Sequence, residues 1–200
     1  MALAGAVTLA VLVSGCVATS GGSDARRVPG SPSASPSASS GAAMPGMEMA
    51  AGAESGPSSA ARMVCEEHEV RDAVRRSFRM DRDPTSTHTW SAASRVYTCR
   101  WAVPHGTLTM TVDDATDPRA GRRSFARLRA GLVGARPLRG MDAFGLPALS
   151  TAAGDVAFLK DGKTLHVDAT RLPAASLPRA FSRSEAAYSV ASAVIACWTE

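Results

Sequence analysis

From residue 61 onward, apolar and polar positions fall into blocks whose period switches between helical and extended. In "MVCEEHEVRDAVRRSFRM" (63–80), Val70, Ala73, Val74 and Phe78 recur at helical spacing, while Arg71, Arg75, Arg79 and Arg82 line another face. The pattern predicts a first helix. Asp83-Pro84 should stop it, because the residue before a proline is pushed away from helical angles. The polar stretch "TSTHTWSAAS" (85–94) reads as a loop. A hairpin follows, in which Tyr97, Cys99, Trp101 and Val103 alternate with Val96, Thr98 and Arg100. "PHG" turns the chain at 104–106, and Leu108, Met110 and Val112 then alternate with threonines.

Asp117-Pro118 opens a second helix, with Asp as N-cap and Pro at the first helical position. Its apolar stripe is Phe125, Leu128, Leu132 and Val133, and Gly134 is placed to end it. "DVAFLKDGKTLHVDAT" (155–170) is a second hairpin, since Asp161-Gly162 suits a two-residue turn with positive φ at both positions. Ser182 and Glu185 form a capping-box pattern for a last helix, with Tyr188, Ala191, Val194 and Ile195 on its buried side. A further strand is expected near 144–149. The order α-β-β-α-β-β-α predicts an α+β fold, an antiparallel sheet built from two hairpins with about three helices packed on it. Residues 61–200 therefore read as a single globular domain.

The first sixty residues have no such periodicity. Residues 1–15 are almost wholly apolar or small, and the run from Ala2 to Val13 is shorter than the ~20 residues that span a bilayer. It has the length of a signal-peptide core. Residues 16–60 are Ser, Pro, Ala and Gly with few large apolar groups, a composition expected to stay a disordered tether.

Val13-Ser14-Gly15-Cys16 resembles the lipobox of bacterial lipoprotein signals. The resemblance implies a diacylglyceryl group on the Cys16 sulfur, with palmitate-type chains, and cleavage before Cys16. Two or more chains, each contributing about 0.8 kcal/mol per buried CH₂, would hold the protein stably on the extracytoplasmic face of the cell membrane. The lipobox, the tether, "VCEEHEV", "YTCRWAV" and "GMDAFG" together resemble uncharacterised actinobacterial secreted lipoproteins. That likeness implies location and architecture, and carries no activity with it.

Beyond the membrane disulfides persist, and three cysteines remain: Cys65, Cys99 and Cys197. Three pairings are open to them. Cys65–Cys99, joining the first helix to the first hairpin, is favoured and would contribute about 3–4 kcal/mol on the chain-entropy model. The alternative partner of Cys65 is Cys197, which would staple the two ends of the domain.

Candidate chemistry is sparse. Met44, Met47 and Met49 in "AAMPGMEMA" are soft thioether ligands that could wrap one Cu(I) ion, with Met63 and His68 joining if the tether folds back. "HEVRD" (68–72) echoes a zinc motif but lacks the second histidine one turn on, so helix-surface charge accounts for it. His166 and Asp168, two apart on a strand, share a face and are the one acid–base pair on offer. "DDATDP" (113–118) lacks the ligand spacing of a calcium loop and reads as a turn plus an N-cap. No catalytic constellation emerges.

The charge balance does shift the picture. Residues 61–200 hold 20 Lys and Arg against 15 Asp and Glu, and Arg119, Arg122, Arg123, Arg127 and Arg129 crowd the second helix. Such a helix suits anionic lipid headgroups, an envelope protein or an acidic envelope polymer. Nucleic acid is not an expected partner outside the membrane. The leading expectation is a lipid-anchored, non-enzymatic binding module for an envelope component. A Cu(I)-binding protein and an unrecognised enzyme are the alternatives.

Overall fold

The computed structural model describes residues 56–198. The first helical segment is two helices, α1 (Ser59–Glu66) and α2 (His68–Ser77), because Glu67 between them is extended at φ −74°, ψ 133°. Ser58 caps α1, its hydroxyl accepting from the Ala61 N–H. α2 ends well before Asp83-Pro84. Arg79 turns left-handed at φ 49°, and the Met80 N–H donates to the Arg75 carbonyl at 2.9 Å, the six-to-one closure of a Schellman motif.

The strands are β1 (Ser86–Ser91), β2 (Val96–Val103), β3 (Gly106–Asp113), β4 (Arg136–Pro137), β5 (Ala148–Ser150), β6 (Asp155–Lys160) and β7 (Lys163–Asp168). Two more helices, α3 (Pro118–Gly131) and α4 (Arg183–Cys197), complete the α+β fold. The sheet order is β1-β2-β3-β7-β6-β5-β4, antiparallel throughout. Two hairpins were expected; pairing of β3 with β7 fuses them into one sheet, which counts seven strands and four α-helices among the described residues. The presumed loop 85–94 contains β1. Five of its six residues are exposed, so this edge strand has no buried face to impose an apolar alternation. β4 and β5 are too short to show a period, although β5 lies at the end of the stretch where an extra strand was expected.

Register assembles the core. Tyr97, Cys99 and Trp101 of β2 stand opposite Val112, Met110 and Leu108 of β3. Val112 and Met110 in turn face Leu165 and Val167 of β7, which face Phe158 and Val156 of β6. All ten are essentially buried. α4 packs against β6 and β7 and against α2, while α1 sits on β2. The Ser182–Glu185 capping box starts α4, whose Ala191, Val194 and Ile195 are buried and whose Tyr188 is half-buried. Two indoles fix α1 to this layer: Trp101 Nε1 donates to the Val64 carbonyl and Trp198 Nε1 to the Ala60 carbonyl, each at 2.9 Å. Cys65 and Cys99 form a disulfide with Cα atoms 5.6 Å apart, tying α1 to β2. Cys197 lies buried at the end of α4, outside that bond.

α3 covers the opposite face. Asp113 and Thr164 are paired residues of β3 and β7 whose side chains alternate away from Val112 and Leu165. The Ser124 hydroxyl donates to the Asp113 carboxylate, and the Thr164 hydroxyl reaches the Gly121 carbonyl. Asp117 caps α3 by accepting from the Arg119 and Ala120 N–H groups, as expected. The helix ends at Gly131, however, three residues before Gly134. Its apolar stripe is only half-buried at Phe125, Leu128 and Leu132, and Val133 is 93 % exposed. The closest approach is made by glycine. A Cβ on Gly121 would lie 1.9 Å from the carbonyl oxygen of Gly162 in the β6–β7 turn. That turn has φ 49° at Asp161 and 77° at Gly162, both positive as the Asp-Gly pair requires.

Two outcomes follow from this packing. Gly121→Ala should gain about 1 kcal/mol of helix propensity if α3 were free. The backbone contact outweighs that gain, so urea denaturation is expected to show a net loss of about 1–3 kcal/mol. Tyr97 is 1 % exposed, and its hydroxyl has no hydrogen-bond partner among the described residues. Burial, with the Glu66 carboxylate adding to it, raises its pKa from 10.0 to about 12. The folded value exceeds the unfolded one, so the associated stability is complete below pH 10 and is lost as pH rises toward 12. Tyr97→Phe should therefore be neutral or stabilising near pH 7, and should flatten the alkaline decline seen in denaturation at pH 9 to 12.

Candidate functional site

At 100° per residue, the positions of α3 divide cleanly. Gly121, Ser124, Phe125 and Leu128 turn toward the sheet and are buried or half-buried. Arg119, Arg122, Arg123, Arg127 and Arg129 occupy the remaining arc, with Ala126 and Ala130 between them, and all seven are exposed. Arg136 and Arg139 continue the run beyond the helix, also exposed. Residues 118–139 thus contain seven arginines and no Asp or Glu. None of the seven forms a salt bridge among the described residues, whereas Arg62, Arg75, Arg76 and Arg95 do. The nearby carboxylate they act on is that of the N-cap Asp117, held below its usual range first by the Arg119 and Ala120 N–H groups and further by the Arg123 and Arg122 charges.

Beside α3 the surface is concave. A cavity of about 350 Å³ is lined by Ser94, Arg95, Asp113, Thr116, Arg123 and Arg127, among others. Arg123 and Arg127 stand one helical turn apart on it. Arg95, at the β1–β2 turn with φ 52°, stacks its guanidinium 5.6 Å from the Trp90 ring. Asp113 contributes one carboxylate, which the Ser124 hydroxyl engages. The lining is otherwise cationic or small.

Asp114 holds this corner in place. It is 1 % exposed and collects bonds from three distant parts of the chain. The Ser58 N–H and hydroxyl each donate to its carboxylate at 2.8 Å. The Arg95 guanidinium lies 3.4 Å from Oδ2 and the Lys163 ammonium 3.4 Å from Oδ1. Arg95 Nε also donates to the Asp114 carbonyl at 2.8 Å. One buried carboxylate therefore joins the start of α1, the β1–β2 turn and the β6–β7 turn on which α3 rests. In "DDATDP" this residue reads only as part of a turn; nothing local marks it as buried.

The other expected residues are placed as follows. His166 is paired, but with Asp155 rather than Asp168: Nε2 lies 3.0 Å from the Asp155 carboxylate, across the β6–β7 ladder. The Thr151 hydroxyl donates to the other Asp155 oxygen at 2.7 Å. Asp168 instead accepts from the N–H and hydroxyl of Thr170, closing a local turn. Hairpin register explains the exchange, since His166 stands opposite Ala157 and diagonal to Asp155. Ligand atoms of His68, Glu69 and Asp72 come within 4.8 Å of one another, but Asp72 faces Arg75 at 3.3 Å and Arg76 at 3.6 Å. This is the charged helix surface the sequence suggests. Met63 is half-buried against the core. Cys16, Met44, Met47 and Met49 lie outside the described residues.

Replacing Asp114 tests how firmly the corner is built. Asp114→Ala leaves the Lys163 and Arg95 charges and the Ser58 N–H without their shared acceptor. A loss of about 3–5 kcal/mol in urea denaturation is expected, the range for removing one partner of a buried ion pair.

No protein-family model, no curated protein and no solved structure matches this chain.

Proposed function

We propose that this protein is a lipid-anchored module of the extracytoplasmic membrane face, which binds an anionic component of the envelope without transforming it. One observation carries the binding half of this reading: seven exposed arginines within 118–139, none of them in a salt bridge among the described residues. Self-repulsion along such a run is relieved when an external anion takes the place of the missing carboxylates. The concave lining of Arg95, Arg123 and Arg127 offers planar, multi-donor groups suited to oxyanions. The anchoring half rests on the lipobox-like Cys16 and the Ser/Pro/Ala/Gly segment that follows it. No helix among the described residues is long and apolar enough to cross a membrane.

Metabolic labelling with a fatty acid tests the anchor. The wild-type chain should carry label and partition with membranes, and Cys16→Ser should carry none and appear in the soluble extracytoplasmic fraction. Equal labelling of the two would defeat the anchoring claim. A photocrosslinker placed at Arg127 on intact cells should yield an envelope adduct, while one placed at the exposed Arg76 of α2, on the other side of the sheet from α3, should not.

A further inference from the structure

We infer that the anionic component is the membrane itself: α3 is a second, electrostatic contact with an anionic lipid bilayer, made by the domain that Cys16 tethers. The inference rests on the anchored-module reading above and adds to it the partner and the orientation.

Three observations point this way. The first is charge. The exposed arc of α3 presents Arg119, Arg122, Arg123, Arg127 and Arg129 around Ala126 and Ala130. Guanidinium groups spread along a helix that lies flat on the sheet match a plane of phosphates better than they match a single bound ion. The second is apolar exposure. Val133, two residues past the end of α3, is 93 % exposed, the greatest exposure of any large hydrophobic residue among those described. A side chain so placed suits the boundary between headgroups and acyl chains.

The third is where the chain enters the domain. Ser58 is fastened to Asp114, which is fastened to Lys163. The neighbouring Gly162 packs against the first turn of α3: a Cβ placed on it would lie 3.2 Å from Pro118 Cα, and one on Gly121 would lie 1.9 Å from the Gly162 carbonyl oxygen. The last residue before α1 and the first turn of α3 thus meet at the two sides of one β-turn. A tether rising from Cys16 would deliver the domain to the bilayer with the arginine helix beside the attachment point. About forty Ser/Pro/Ala/Gly-rich residues separate Cys16 from Ser58, so an acylated Cys16 would keep the domain within that many residues of the bilayer. At that range the local lipid concentration is high enough for a contact of modest affinity to be populated.

Vesicle sedimentation with the chain from Val17 onward tests the inference, because that chain lacks the acyl anchor yet keeps every core residue from Ala61 to Trp198. Phosphatidylglycerol-containing vesicles should bind it and phosphatidylcholine vesicles should not, and binding should fall when salt rises from about 0.05 to about 0.5 M. Two variants of equal net charge separate a specific face from general basicity. Replacing Arg122, Arg123, Arg127 and Arg129 by Gln should weaken binding about tenfold or more. Replacing Arg79, Arg82, Arg171 and Arg179 by Gln should leave it within about twofold. Thermal unfolding of both variants checks that each remains folded. Equal losses in the two variants, no binding to anionic vesicles, or binding to a soluble polyanion without binding to vesicles would each overturn the inference. Because this chain has no Cys16, fatty-acid labelling remains a separate result: a labelled protein that ignores anionic vesicles keeps its anchor and loses the docking face.

Discussion

The carboxylate of Asp114 is the constraint on which the arrangement of this domain depends. It is buried, and burying a charge is costly unless partners replace the water it loses. Here the replacement comes from Ser58, Arg95 and Lys163, residues far apart in the chain that no apolar contact would hold in this register. Hydrophobic burial gathers the helices on one side of the sheet but does not decide which loop meets which. The two ion pairs and the two serine hydrogen bonds decide it. As a result, the start of α1, the β1–β2 turn and the β6–β7 turn form one rigid corner.

The opposite side of the sheet is organised by the absence of side chains. Gly121 and Gly162 let α3 approach the β6–β7 turn at backbone distance. Away from that contact the helix is held by the Ser124–Asp113 hydrogen bond and by half-buried Phe125, Leu128 and Leu132. An element with so little buried area needs few apolar residues, which leaves most of its circumference for arginine. Close packing at one end and a broad polar surface over the rest are two sides of the same design. The layer that carries the core and the layer that carries the charge therefore face away from each other.

How much of this was readable beforehand depended on whether a physical cause acted locally. The Asp161-Gly162 turn, the Asp117 cap and the Ser182–Glu185 capping box all satisfy needs within a few residues, and each was visible in the sequence. β2, β3, β6 and β7 were visible because each buries one face or both. β1 was not, because its side chains are almost all in water. The break at Glu67 and the left-handed Arg79 were hidden too, since neither is a glycine or a proline. The arginine-rich helix was plain in composition, but that none of its arginines forms a salt bridge among the described residues needed the fold. Asp114 and the His166–Asp155 pair were beyond reach for a related reason: both are products of strand register, and register is a long-range property. The sequence left three cysteine pairings open; the favoured Cys65–Cys99 bond is the one the structure forms.

The Cys65–Cys99 bond has a consequence for mechanics. Any tension arriving through the N-terminal segment meets Ser58 first and reaches Cys65 seven residues later. There the covalent path divides, and the short branch crosses directly into β2, between β1 and β3. Residues 66–98, including α2 and β1, are bypassed and bear no extensional load that the disulfide does not share. A domain pulled from one end of its chain is usually at risk of unravelling from that end. In this one the pull is handed past the peripheral helices to a strand inside the sheet, where many hydrogen bonds must yield together.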